Sequence, residues 1–308
     1  METYQLDLAI CSFKIITLKD NIPANIQVCT SKGLGEECVL PRDLFLKRMP
    51  SILWKTALLE SACNKILKTK LVKDFNIRFE ENLSLGEDFS MYIKYFSVCN
   101  GTVLLSDELY YYMQVNDSAL TKVYRKDLFE NQMMLIDRFR EFWEANSEIS
   151  EEEEVSLAEY TVSKTLQCMT NLFHRGAAFS VEEKKRLLAA MINDNRVRIA
   201  IEKSKYIDTR FQWIRELYKF SDVEMIYRNL NSIFASKECL DNGQHCTEKI
   251  EEQPKNPGAL NKFLVKGINL LLNIHQFRAL EMIRNTLIDH GIKTTIIKSL
   301  TYYKKRRC

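Results

Sequence analysis

The sequence predicts an α/β region followed by a mainly α-helical one. Three observations carry this reading. Residues 6–16 (LDLAICSFKII) form a loosely alternating apolar run rich in Ile and Leu, which marks a buried strand. After Thr121 the apolar spacing becomes helical and stays so to about Ala235. Nine Gly and five Pro in 308 residues are too few for a turn-rich β-sandwich and suit a helix-rich chain.

The first strand begins almost at Met1, with nothing upstream to supply its neighbours. From Asn21 to Pro50 the pattern is irregular; Pro23, Pro41, Pro50 and the Gly33–Gly35 pair suggest turns and short elements. Residues 52–73 read as helical and 76–80 as a short extended piece. Ser84-Leu85-Gly86-Glu87 has capping-box spacing before the apolar run FSMYIKYFSV, so a helix should start near Gly86 or Glu87. Thr102–Leu105 and Glu108–Met113 read as two short strands around a Ser106-Asp107 turn. Leu128, Leu135, Phe139 and Phe142 then mark one amphipathic helix. Ser150-x-x-Glu153 and Ser180-x-x-Glu183 open two more. Four units follow: 1–121 mixed α/β, 122–235 helical, 236–261 a polar linker, and 262–308 a basic amphipathic segment.

Forty-four Lys and Arg against 41 acids leave no global field of the kind a nucleic-acid binder carries. The balance is uneven along the chain. From Lys262 onward ten cations face two acids, a local net of +8, which leaves about −5 for the first 261 residues. Such a segment suits an anionic membrane surface, or equally a helical hairpin with a solvated basic tail. Nine cysteines without a CxxC pair read as reduced thiols. METYQLDLAICSFKIITLKD places acids before its apolar run, unlike a signal peptide, so a cytoplasmic location is expected.

Most motif candidates are explained more simply. Gly33-Leu34-Gly35 lacks the rest of a dinucleotide fingerprint and reads as a turn. Glu151–Glu154 are first-turn acids favoured by the helix dipole. Cys239, His245 and Cys246 lack zinc-ligand spacing, and the four scattered histidines offer no nucleophilic triad. Glu87-Asp88 is different. Carboxylates at a helix start meet free N–H groups that favour the ionised form, and such a group at a cleft edge can take a proton from a hydroxyl.

The surrounding residues resemble, in order, the second half of a family 2 glycosyltransferase domain of the GT-A type, found in bacterial capsule and exopolysaccharide synthesis. Leu6–Cys11 is similar to its "DiVic" strand and Ala62-Cys63-Asn64-Lys65-Ile66 to its "W/C-N-K-L" element. Phe75–Phe79 resembles the "gIrF" lead-in and Leu85-Gly86-Glu87-Asp88-Phe89 the "yGED" motif. Leu109-Tyr110-Tyr111-Tyr112 with Asn116–Thr121 resembles the closing "lYyYr…nSiT".

The resemblance implies a partial GT-A fold, a remnant of a Rossmann-like sheet, in which Asp88 is the general base and Glu87 its orienting neighbour. Asp88 would deprotonate an acceptor hydroxyl that attacks a nucleotide-sugar with inversion. Asn64 and Lys65 would line the acceptor or diphosphate side, with Tyr112 and Ser118 structural or at the acceptor rim. The family's opening strand, nucleobase pocket and D-x-D motif are not found here, so the divalent Mn or Mg expected for the family has no ligands in this sequence. The implied partners are a nucleotide-sugar, a saccharide or lipid-linked acceptor, an anionic surface at the inner face of the membrane met through 262–308, and a chain supplying the missing half. The alternative is an inactive remnant serving as a membrane-docking or assembly module.

Overall fold

The computed structural model describes residues 5–19, 22–32, 34, 38–83, 85–114, 124–174, 176–204 and 222–241. Strand β1 (Leu8–Lys19) is central, and its neighbours all come from later in the chain. A hairpin joins it to antiparallel β2 (Ile22–Cys29), with Phe13 opposite Cys29. Strand β3 (Cys38–Pro41) leads into helix α1 (Arg42–Thr56). The inner half of β1 then pairs with antiparallel β4 (Lys65–Leu67), Ile10 opposite Lys65. After α2 (Thr69–Asp74) and α3 (Glu87–Phe96), β5 (Gly101–Gln114) returns parallel to β1 and antiparallel to β3, giving the order β2-β1-β5-β3 with β4 beside β1. The parallel pairing of β1 and β5 needs a long crossover, and α1 to α3 supply it.

Several boundaries differ from the sequence reading, each for a physical reason. Strand β2 runs unbroken from Ile22 to Cys29 with a register shift at Ala24, but only its inner end is buried, so no clean apolar alternation marks it. Helix α1 runs through Pro50. The ring removes one N–H and crowds the carbonyl four residues back, yet Phe45, Leu46, Met49, Ile52 and Leu53 are all buried on this helix. The amide just after it, Ser51 N–H, donates to Glu153 Oε2 at 2.9 Å. The helix stops at Thr56 and does not reach residue 73. Ala57 turns left-handed (φ 57°), Leu58 and Leu59 enter the core, and Lys65–Leu67 supply the edge that β1 needs.

Residues 76–80 form no strand; Asn76 (φ 47°) turns Ile77 N–H back onto Val72 O at 3.0 Å. The two short strands around Ser106-Asp107 are one strand, β5. Cys11 faces Leu105 and Ser12 faces Glu108, so Ser106 and Asp107 are bulged rather than turned. Helix α3 does begin at Glu87, as the spacing predicts, with Gly86 as its N-cap; Ser84, the first residue of the expected capping box, lies outside the described residues.

The helical region follows the sequence closely. Helix α4 (Leu128–Asn146) buries Leu128, Leu135, Phe139 and Trp143. Helix α5 (Glu151–Asn171) begins with Ser150 Oγ accepting from Glu153 N–H at 3.3 Å. Helix α6 (Val181–Asn193) has both halves of the Ser180/Glu183 box. Helix α7 (Asn195–Lys203) is capped by Asp194, and α8 (Val223–Asp241) extends past Ala235. The polar stretch beyond Asp241 and the segment 262–308 lie outside the described residues. One continuous core runs from Leu8 and Ile10 through Phe45, Phe89 and Phe96 to Phe139, Leu157 and Val197. It welds the sheet to α4, α5 and α7, each fully buried large apolar side chain contributing about 1.5–3 kcal/mol. No described helix is long and apolar enough to cross a membrane.

Candidate active site

The site is built where the start of α3 meets the loop after α1. Gly86 caps α3 in the left-handed region (φ 83°), and its carbonyl accepts from Ser90 N–H at 2.9 Å. That places Glu87 and Asp88 in the first turn, where free N–H groups and the helix dipole favour anions. Asp88 Oδ2 accepts the Ala62 N–H at 3.1 Å. Among the described residues its other oxygen receives no hydrogen bond, which leaves an acceptor for a hydroxyl proton. Burial pushes the Asp88 carboxyl up from its usual range, the Ala62 N–H opposes this, Glu87 adds to it, and Lys65 opposes it. A raised carboxyl pKa makes a stronger base.

The loop from Leu58 to Asn64 is held at several points. Asn64 is 2% exposed; its amide donates to Cys11 O (3.0 Å) and Leu58 O (3.2 Å), and its own carbonyl accepts from Cys11 N–H (2.9 Å). Lys65 Nζ donates to Leu58 O (2.6 Å), to Ser61 O and to Asn64 Oδ1 (2.9 Å), and lies 4.4 Å from the centre of the Tyr92 ring. Burial draws the Lys65 ammonium down to about 7, against Cys63, Asp88, Glu60 and Cys11, which favour the charged form. Ser61 Oγ and Cys63 Sγ are 3.0 Å apart. From the other side, Glu60 Oε1 accepts from Tyr160 Oη (2.8 Å) and Lys164 Nζ (2.5 Å), both on α5.

Helix α3 is braced in turn by Glu80. Its carboxylate accepts from Ser90 Oγ (2.7 Å) and from Arg138 of α4 (2.8 Å), with Lys94 Nζ at 3.0 Å.

The structure therefore brings Asn64, Lys65, Glu87 and Asp88 together. Tyr112 is elsewhere. It pairs with Ile15, five residues beyond the Ile10 that faces Lys65, about 16 Å further along β1 at a rise of 3.3 Å per residue. Ser118 and the rest of the Asn116–Thr121 motif lie outside the described residues, as do Gly33, Gly35, His245 and Cys246. Cys11, Cys29, Cys63, Cys99 and Cys168 are free thiols.

The sequence reading missed the Ala62 N–H, a backbone donor that no side-chain pattern announces. It also missed Glu60, Glu80, Tyr160 and Lys164, whose partners are distant in sequence. A divalent ion does not fit these residues. Among the described residues no group of three or more His, Cys, Asp or Glu could hold a metal, and the positive charge that bears on Asp88 is that of Lys65.

No family model matches this chain, and none of the curated proteins does. Solved structures align with part of it. The Staphylococcus aureus TarS 1–349 structure in complex with UDP-GlcNAc aligns with a TM-score of 0.45 and 18% identity over 82% of this chain and 64% of that one. The complex with UDP gives 0.43 and 18% over 81% and 63%. A longer S. aureus TarS structure gives 0.40 and 17% over 75% and 36%. The chain thus spans less than two thirds of each of these structures.

Proposed function

We propose that this chain is a glycosyltransferase of cell-surface polysaccharide synthesis, with Asp88 as its base. The observation that carries the reading is the Asp88 carboxylate itself. It lies at the start of α3, one oxygen fixed by Ala62 N–H and the other open, with its pKa raised by burial. The ordered motifs from Ala62 to Tyr112 supply the sugar chemistry. Asp88 takes the proton of an acceptor hydroxyl as that oxygen bonds to the anomeric carbon. The bond from that carbon to the diphosphate breaks, the nucleoside diphosphate leaves, and the configuration inverts. Glu87 keeps the local field negative, so that Asp88 holds the proton once it has accepted it. The donor's diphosphate, and any Mn or Mg on it, would be held by residues outside the described ones or by a partner chain.

The test combines calorimetry with UDP and Mn²⁺ and an assay of UDP release from UDP-GlcNAc with a saccharide acceptor. Asp88→Asn should retain the fold by circular dichroism and any UDP binding while transfer falls by about 10²–10⁴-fold, the usual contribution of a positioned base. Substantial transfer by the mutant would sink the assignment.

A second reading, an assembly module, is favoured by one surface. The outer half of the β2-β1-β5 ribbon exposes Ile22, Ile26, Leu109, Tyr111 and Met113, a density of apolar groups that marks interaction surfaces. Loss of association after Ile26→Lys and Met113→Lys, with no effect on UDP binding, would favour it.

A further inference from the structure

We propose that Lys65 is a positioning residue: its ammonium holds the 58–64 loop in the shape that turns the Ala62 N–H onto Asp88, and it does not bind a ligand. An ammonium has three N–H donors and no acceptor. All three meet acceptors of the same loop: the carbonyls of Leu58 and Ser61 and the carboxamide oxygen of Asn64. Tyr92 covers the cation with its ring face at 4.4 Å. A phosphate or sugar oxygen would gain a lysine donor here only by leaving one of these acceptors unpaired.

The positions of the acceptors identify the role. Leu58 and Ser61 lie before Ala62 in the chain and Asn64 after it, so one cation gathers both limbs of the turn that carries the donor. Asn64 is tied to β1 through Cys11, and Glu60 to α5 through Tyr160 and Lys164. Lys65 joins these two anchored limbs, and Ala62 N–H sits between them, 3.1 Å from Asp88 Oδ2. The cation also stabilises the Asp88 carboxylate directly. Its importance for catalysis rests on the transfer reading above, but the geometry does not.

The experiment uses the full chain and measures no transfer. In the unmodified protein, a lysine-selective ¹H–¹⁵N spectrum at pH 6 should show slowly exchanging Lys65 ammonium protons. Rapid exchange like that of surface lysines overturns the proposal without any variant that must fold. In Lys65→Met, exchange of the Ala62 amide should accelerate at least about tenfold, as expected for loss of buried hydrogen bonds, while β1 and β5 amides keep their rates. The midpoint of the Asp88 carboxyl, followed by ¹³C shifts, should rise. Lys65→Arg keeps the charge and separates the two effects. If Arg restores the midpoint while the Ala62 amide is as protected in Lys65→Met as in the unmodified chain, Lys65 acts by charge alone and the proposal fails. A chain that shows no transfer but meets these expectations refutes the function and leaves the positioning role standing.

Discussion

Gly86 offers the most direct test of how Asp88 is placed. It caps α3 at φ 83°, a conformation that costs an L-residue about 1–2 kcal/mol. A Cβ there would also lie 2.2 Å from Leu135 Cδ1, with Leu135 Cγ and Cδ2 at 3.5 and 3.7 Å. Leu135 is 3% exposed and sits in the continuous core, so its methyl cannot simply swing into solvent. Overpacking of this kind costs about 1–3 kcal/mol. Gly86→Ala should therefore lower the unfolding free energy by about 2–5 kcal/mol in urea titrations.

The two contributions separate in a double-mutant cycle. Leu135→Ala alone costs about 2–5 kcal/mol by leaving a cavity. Combined with Gly86→Ala it should cost less, because the cavity accepts the new methyl, giving a coupling of about 1–3 kcal/mol. A loss under about 1 kcal/mol for Gly86→Ala, or two losses that add within about 0.5 kcal/mol, would refute the packing argument.

Two further predictions concern charge. Arg138, then Ser90 and Lys94, hold the Glu80 carboxyl down to about 2. Its stabilisation is therefore present above the ordinary carboxylate range and lost as pH falls through about 2. With the side chain 29% exposed, it is worth about 1–2 kcal/mol after solvent screening. Urea titrations at pH 6 and pH 3 should show a steeper loss for the unmodified chain than for Glu80→Gln; equal losses would remove Glu80 from the brace. Burial pushes the Glu153 carboxyl up, with the Ser51 N–H as its main opposition. Here the sign reverses, and its contribution to stability falls as pH rises from the ordinary carboxylate range through the raised folded value. Glu153→Gln should thus be neutral or stabilising at pH 7, whereas Glu153→Ala strands the Ser51 amide and costs about 1–3 kcal/mol. Equal thermal shifts for the two variants would contradict this.

How much was legible depended on how local the determinant was. Helices α4 to α6 announce themselves because Ser150, Ser180 and their apolar stripes act within a few residues, and the structure uses the same atoms. The strand at residues 6–16 was legible from its own residues, but its pairing was not, since all of its neighbours arrive from later in the chain. Residues 52–73 misled because their apolar spacing serves two purposes. Leu58 and Leu59 fill the core, while Lys65–Leu67 edge the sheet. Pro50 misled in the opposite direction, since a breaker by propensity is outweighed by five buried side chains on its own helix.

The site divides along the same line. Gly86, Glu87 and Asp88 are adjacent, so the helix start and its acids could be read directly. What makes Asp88 more than a solvated first-turn acid is a backbone N–H from residue 62, and that N–H depends on a loop pinned by Cys11, Lys65, Tyr160 and Lys164. Two of those pins stand on α5, in the helical region. Helix α5 also reaches α1 through Glu153, which accepts from Ser51 N–H just past Pro50 in the second half of the helix that leads into the same loop. The helices after residue 121 therefore act on the Asp88 site of the first 121 residues. Their buried contacts fix the path from Ser51 to Lys65, and that path fixes the donor facing Asp88. Removing α5 should free the loop before it unfolds the sheet, because the β1–β5 and β1–β2 ladders are made without it.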